Sequence, residues 1–157
     1  MHKQISNLNM RTELTQPTQK LMHNCLYFTA NALSRTITKK AEEAFRPTGL
    51  SPSHAFLVML VVENPGIVPT ELSRYLSLAP STVTRLVDSL QIKGFLERNT
   101  QGKAVMITPT PRAEETYPQI AASWKTLYDT YTAELSPIDG DRLTRQIDQA
   151  ARKLSGS

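Results

Sequence analysis

The chain has 157 residues, 39% of them hydrophobic and 20% charged, with a formal net charge of +4. That length buries a real core in one domain or in two small lobes, and a pI near 9.3 favours an anionic partner. The single cysteine, Cys25, excludes an intramolecular disulfide and so a disulfide-stapled secreted scaffold.

Residues 1–17 are polar and aperiodic and end at Pro17, the pattern of a flexible N-terminal arm. They hold no apolar segment of signal-peptide type. From Thr18 to Arg46, Leu21, Cys25, Phe28, Ala32, Thr36 or Ile37, and Ala44 recur near a 3.6 period with no Pro or Gly between them. This predicts one helix about 40 Å long, more than a small lobe needs, and points to a helix shared with a second subunit. Pro47-Thr48-Gly49 ends it.

Ser51 is an N-cap and Pro52 a first helical residue. The run Ala55 to Val62 suits a strand by composition, but the start signal before it and the stop at Asn64-Pro65-Gly66 favour a buried helix. It is also the longest apolar run, far short of the ~20 residues a membrane span needs. No membrane partner and a cytoplasmic location are therefore expected.

A short helix over Pro69–Leu76 turns Leu72 and Leu76 inward. Ser77-Leu78-Ala79 is the turn, and Pro80 starts a second helix with Val83, Leu86, Val87 and Leu90 as its apolar stripe. Gly94 stands in the C-cap position, with Lys93 complementing the dipole. Ser81, Thr82, Thr84 and Arg85 lie near the front of this helix, off or beside the stripe. Hydroxyls and a guanidinium there suit a helix that enters a DNA groove. Two short strands follow, Phe95–Arg98 and Val105–Thr108, joined by a loop from Asn99 to Ala104 in which Asn99 and Gly102 offer positive φ. Residues 47–110 thus read as a winged helix-turn-helix.

A helix from Pro111 to Glu134 is capped by Thr110, with a kink or irregular first turn expected from Pro118. Its stripe is Ile120, Trp124, Leu127 or Tyr128, Tyr131 and Leu135. Ser136-Pro137 opens the last helix, with Asp139 in the reach-back position of a capping box and Ile138, Leu143, Ile147, Ala150 or Ala151 and Leu154 as its stripe. The fold expected is mainly α with a small β-hairpin wing. Residues 18–46 and 111–157 form a helical dimerisation region, because their apolar stripes exceed what a small winged domain covers. A two-fold homodimer would set two recognition helices side by side.

Over nearly its whole length the sequence resembles the MarR family of bacterial transcriptional regulators. The resemblance rests on Glu71-Leu72-Ser73, on Leu78-Ala79-Pro80-Ser81-Thr82-Val83-Thr84-Arg85-Leu86-Val87-Asp88-Ser89-Leu90, and on Lys93-Gly94-Phe95-Leu96-Glu97-Arg98. It implies a homodimer built on the terminal helices, with the second motif helix in the major groove and the wing at the minor groove. There are two departures. The family's wing usually carries an Asp-Arg-Arg cluster, whereas the only charge in the 99–104 loop is Lys103. Ala79 stands where a Ser or Thr usually caps the recognition helix, which costs about 1 kcal/mol.

In this frame Arg85 is the main DNA-contact candidate, against a pairing with Asp88 one turn on. Ser81, Thr82 and Thr84 are hydroxyl contacts, against a capping role for the first two. Arg74 and Arg98 are phosphate candidates and Lys103 a wing-tip one, each against an ordinary solvated charge. Some relatives sense oxidants through an early cysteine near tyrosines, which makes Cys25 and Tyr27 redox candidates against a small core residue. Trp124 and Tyr128 are candidates for an aromatic-ligand pocket, against plain packing. His2, His23 and His54 are scattered, so no metal site is expected. No cofactor loop or catalytic constellation is present, so the chain is not read as an enzyme. The function expected is a dimeric regulator, a repressor released by a small ligand or oxidant, bound to a pseudo-palindromic double-stranded DNA operator. The alternative is a winged-helix protein-interaction module without DNA binding.

Overall fold

The computed structural model describes residues 18–136 and 138–156. The arm expected over 1–17 and the capping role given to Pro137 lie outside the described residues. The elements are α1 (Thr18–Asn24), α2 (Leu26–Phe45), a 3-10 turn (Arg46–Thr48), α3 (Pro52–Glu63), α4 (Pro69–Leu76) and α5 (Pro80–Ile92). They continue with β1 (Leu96–Gln101), β2 (Ala104–Pro109), α6 (Pro111–Leu135) and α7 (Gly140–Ser155). This is the mainly helical architecture with one hairpin that the sequence predicts. The chain divides into two compact units, one up to Lys39 and one from Lys40 onward. Helix α6 therefore belongs to the same unit as the winged helix.

In the first unit the single helix expected over 18–46 is interrupted at Cys25. The Cys25 N–H turns to the Met22 carbonyl at 3.4 Å, a tighter i−3 bond, before Thr29 N–H returns to the Cys25 carbonyl at 3.1 Å. The Thr29 hydroxyl also donates to the Cys25 carbonyl, at 3.0 Å. Such back-bonding from Thr competes with the ladder and bends helices. Leu21, Met22, Leu26, Tyr27 and Phe28 are all exposed, so no packed face holds this stretch straight.

In the second unit α3 is the central post, touching α4, α5, β2 and α6. That explains its sequence: a helix covered on several sides is apolar nearly all round and carries little amphipathic signal. Ser51 caps it, its hydroxyl accepting from His54 N–H at 3.4 Å. Leu57, Val58 and Val61 are fully buried, as are Phe45, Leu72, Val83, Leu90, Leu96, Ile107 and Ile120 around them. Burial of each such side chain is worth about 1.5–3 kcal/mol.

The wing is longer and tighter than expected. Pairing runs from Leu96↔Pro109 to Gln101↔Ala104, which leaves Gly102-Lys103 as a two-residue turn in place of the expected 99–104 loop. Gly102 takes φ +62 while Lys103 does not, the pattern of a Gly-first primed turn whose twist matches the strands. Asn99 supplies no positive φ; it sits in β1 and its amide donates to Thr108 Oγ1 at 2.7 Å. On the other side of β2, Gly66 N–H donates to the Ile107 carbonyl and Ile107 N–H to the Ile67 carbonyl, both at 2.9 Å. The α3–α4 loop thereby anchors the base of the hairpin.

Two helix expectations change. Helix α6 is continuous from Pro111 to Leu135, so Pro118 produces no irregular first turn. The N-cap of α7 is Asp139 itself, whose carboxylate accepts from Arg142 N–H at 2.9 Å. It does not reach back from inside the helix as a capping-box residue, because the first helical residue is Gly140.

Candidate nucleic-acid interface

The turn between α4 and α5 is set by backbone chemistry. Leu78 N–H bonds to the Ser73 carbonyl at 3.1 Å and Ser77 N–H to Arg74 O at 3.4 Å, closing α4 in a Schellman arrangement. Ser77 pivots the chain at φ +52, ψ +40, a left-handed conformation for a residue other than glycine. Ala79, extended at φ −60 and ψ +144, leads into Pro80 with no side-chain cap. Proline's fixed φ suits the first helical position.

Val83, Val87 and Leu90 of α5 are buried and Leu86 is half-buried. The outer face carries Ser81, Thr84, Arg85 and Asp88 at spacings of three and four, which is one side of a helix. Ser81, Thr84 and Arg85 are exposed, whereas Thr82 is half-buried on the flank. Neither Ser81 nor Thr82 caps the helix. The Thr84 hydroxyl donates to the Pro80 carbonyl at 3.0 Å, so its proton is held within the helix and its lone pairs face outward.

Arg85 does not pair with Asp88. That carboxylate belongs to Arg98 of β1, whose Nη1 lies 2.5 Å from Asp88 Oδ1 and whose Nη2 donates to the Thr84 carbonyl at 3.5 Å. One arginine of the wing thus braces the recognition helix, and among the described residues Arg85 has no ion-pair partner. Arg74 stacks over the Tyr75 ring at 5.0 Å, and Lys103 is exposed at the hairpin tip. The structure therefore gathers Ser81, Thr84 and Arg85 on one surface and diverts Arg98 to bracing it.

The reading of the sequence missed the far end of α5. Gly94, at φ +75, follows a C-cap at Lys93; Phe95 N–H returns to the Leu90 carbonyl at 2.9 Å. The next carbonyls are taken by the start of α6. Thr110 Oγ1 donates to Gly94 O at 2.7 Å, and Arg112 Nη1 donates to Lys93 O at 2.7 Å. The Arg112 guanidinium also covers the Phe95 ring at 4.5 Å. Thr110 was legible as a cap; its bond 16 residues back was not, and Arg112 carried no local signal. Close by, His54 Nδ1 meets Ser51 Oγ at 2.7 Å while its Nε2 is buried without a partner among the described residues. Burial first, and the Lys93 charge second, lower the pKa of His54 below 6.5.

The effector candidates fall in separate units. Cys25 is a half-buried free thiol, and Tyr27 is exposed, packing edge-on to Phe28 at 5.2 Å. On α6, Trp124, Tyr128 and Tyr131 form a ladder with ring separations of 6.0 and 5.4 Å. Tyr128 OH donates to Asp141 Oδ1 at 3.0 Å, and that bond raises the phenol's pKa. An open depression of about 310 Å³ lined by Asn64, Pro65, Gly66, Ile67, Glu71 and Tyr75 includes none of these four candidates. Among the described residues no group of His, Cys, Asp and Glu could hold a metal ion. No described helix is long and apolar enough to cross a membrane.

Helix, Schellman turn, braced second helix and short hairpin define a winged helix-turn-helix. Residues 48–103, the same segment, match the MarR family model. The repressor CouR bound to a 23-mer DNA duplex is similar to this chain at a TM-score of 0.75 and 17% identity, over 88% of this chain and 100% of that one. CouR bound to p-coumaroyl-CoA gives 0.75 and 19%, over 83% and 94%; CouR is from Rhodococcus jostii RHA1. The M. tuberculosis transcriptional regulator MosR gives 0.70 and 20%, over 85% and 97%. Among curated protein sequences none matches. Residues 48–103 thus match the MarR family model, in a chain whose fold is similar to that of these transcriptional regulators.

Proposed function

We propose that this chain is a sequence-specific DNA-binding transcriptional regulator of the MarR type. It acts as a cytoplasmic homodimer on a pseudo-palindromic duplex with half-sites about one turn, ~10 bp, apart. The observation that carries the reading is the outer face of α5. Arg85 stands exposed beside the exposed Ser81 and Thr84 and has no ion-pair partner among the described residues, because Arg98 neutralises the nearby Asp88 carboxylate. An unpaired guanidinium on such a helix takes a guanine edge or a phosphate. The CouR complex with DNA, on the same fold, supports it.

The regulator is a repressor that a small ligand or an oxidant releases. The CouR complex with an aromatic acyl-CoA and the Trp124–Tyr128–Tyr131 ladder favour a small aromatic ligand; the oxidant route runs through Cys25 and Tyr27. A second reading, a protein-interaction module, is favoured by the wing, where Arg98 is committed to Asp88 and Lys103 is the single charge of the turn.

Salt separates the two. The purified protein should retain a subset of a random duplex pool, and log Kd for a retained duplex should rise steeply with log salt as counterions are released. Retention of no duplex, or an affinity indifferent to salt in an anisotropy titration, would establish the interaction module instead.

A further inference from the structure

We infer that Arg112 is a positioning residue for DNA binding: it clamps the C-terminal end of the recognition helix α5 to the first turn of α6 without touching DNA itself. The inference rests on the DNA-binding reading of α5.

The last carbonyls of a helix have no partner within it and form the negative end of its dipole. At the end of α5 the Leu90 and Gln91 carbonyls are satisfied by Phe95 and Gly94 N–H, the usual return of the chain around a left-handed glycine. The carbonyls of Lys93 and Gly94 lie beyond that return, and both are taken from α6 or its cap. Arg112 supplies a charged donor at 2.7 Å and Thr110 a neutral one at 2.7 Å. A guanidinium does three things there that a lysine does not. Its plane lies over the Phe95 ring, 4.5 Å from the centroid. Its fork keeps other N–H groups free while one is committed, and its charge is fixed. Phe95 is buried, so the stack sits on a side chain of the core.

The consequence is geometric. Helix α5 is held at its wing side by Arg98 on Asp88 and Thr84 and at its C-terminal end by Arg112. These braces come from two different elements, and Arg112 shares the tie to the start of α6 with its cap, Thr110. Loss of it leaves the core intact, since Arg112 is exposed, and leaves Thr110 on the Gly94 carbonyl, but it removes the charged tie and so loosens the end of α5. A pivot at one end displaces Ser81 and Arg85 at the other.

The test uses the full chain and a duplex retained by it from a random pool, with Arg112→Ala, Arg112→Lys and Arg112→Met. Expected is a loss of affinity of about tenfold for all three, with the slope of log Kd against log salt unchanged and Tm little altered. Faster hydrogen exchange at the Gly94 and Phe95 amides should accompany it. A slope reduced by about one phosphate contact would make Arg112 a direct DNA ligand and overturn the inference. So would full affinity in Arg112→Ala, or full recovery in Arg112→Lys. If the unsubstituted chain binds no duplex, the proposed function fails. Exchange alone then decides the clamp, which unchanged amide protection in Arg112→Ala would overturn.

Discussion

Arg85 concentrates what a single side chain contributes. It is exposed, it is on the outer face of α5, and the one acid within a turn is occupied by Arg98. Arg85→Ala should weaken binding to a retained duplex by about 1–3 kcal/mol and flatten base preference at the contacted position; an anisotropy titration against single-base variants of that duplex reads both. Equal affinity across those titrations would remove Arg85 from the interface. His54 makes a different prediction. Its pKa is lowered, first by burial and then by Lys93, so the folded state resists protonation more than the unfolded chain does. Its contribution to stability is therefore full above pH 6.5 and is lost as pH falls below that value toward the folded pKa. Tm should drop from pH 7 to pH 5 more steeply in the unsubstituted protein than in His54→Gln. Parallel curves would show that the ring does not titrate in that range. Neither the inward pairing of Arg98 nor the buried Nε2 of His54 was legible in the sequence, because both depend on partners brought in from other elements.

At the scale of elements, what the sequence revealed followed the strength of local signals. Helices α3 to α5 match their expected boundaries because proline starts, stop signals and short apolar stripes act within a single turn. The run of α6 through Pro118 was legible from its apolar stripe, whereas the break at Cys25 was not, since backbone competition by Thr29 outweighs composition there. The hairpin was found but its length was underestimated. Polar strand residues Asn99, Thr100 and Gln101 look like loop, and only pairing across to Met106, Val105 and Ala104 makes them strand. Gly66 holds this hairpin to the α3–α4 loop. It sits at φ +89, and a Cβ there would lie 2.8 Å from Met106 Cε. Gly66→Ala should cost about 1–2 kcal/mol in urea unfolding. Adding Met106→Ala removes the steric part and leaves the backbone part, so the double variant should cost less than the sum of the two singles. Strict additivity would show that the methionine end simply swings away.

For the whole molecule the decisive fact is how much apolar surface each unit leaves uncovered. The first unit exposes Leu21, Met22, Leu26, Tyr27 and Phe28, and the second exposes Ile138, Ile147 and Leu154. Leu154 is 76% exposed and Ile147 46%, although α7 is regular, capped by Asp139 and closed by Gly156 at φ +72. A helix with charges on one side and leucine and isoleucine open on the other is stable where a second surface covers it. A second copy is the partner that the proposed function requires, because one recognition helix reads only one half-site. Each large side chain buried in such an interface contributes about 1.5–3 kcal/mol. Ile147→Glu with Leu154→Glu should therefore shift sedimentation velocity from dimer toward monomer while the helical circular dichroism is kept. Affinity for a duplex with two half-sites should fall far more than affinity for one with a single half-site, since the two contacts are no longer linked. Sedimentation of the unsubstituted chain as a monomer at concentrations where it binds DNA would overturn the dimer. A doubly substituted chain that stays dimeric would place the interface away from this face of α7.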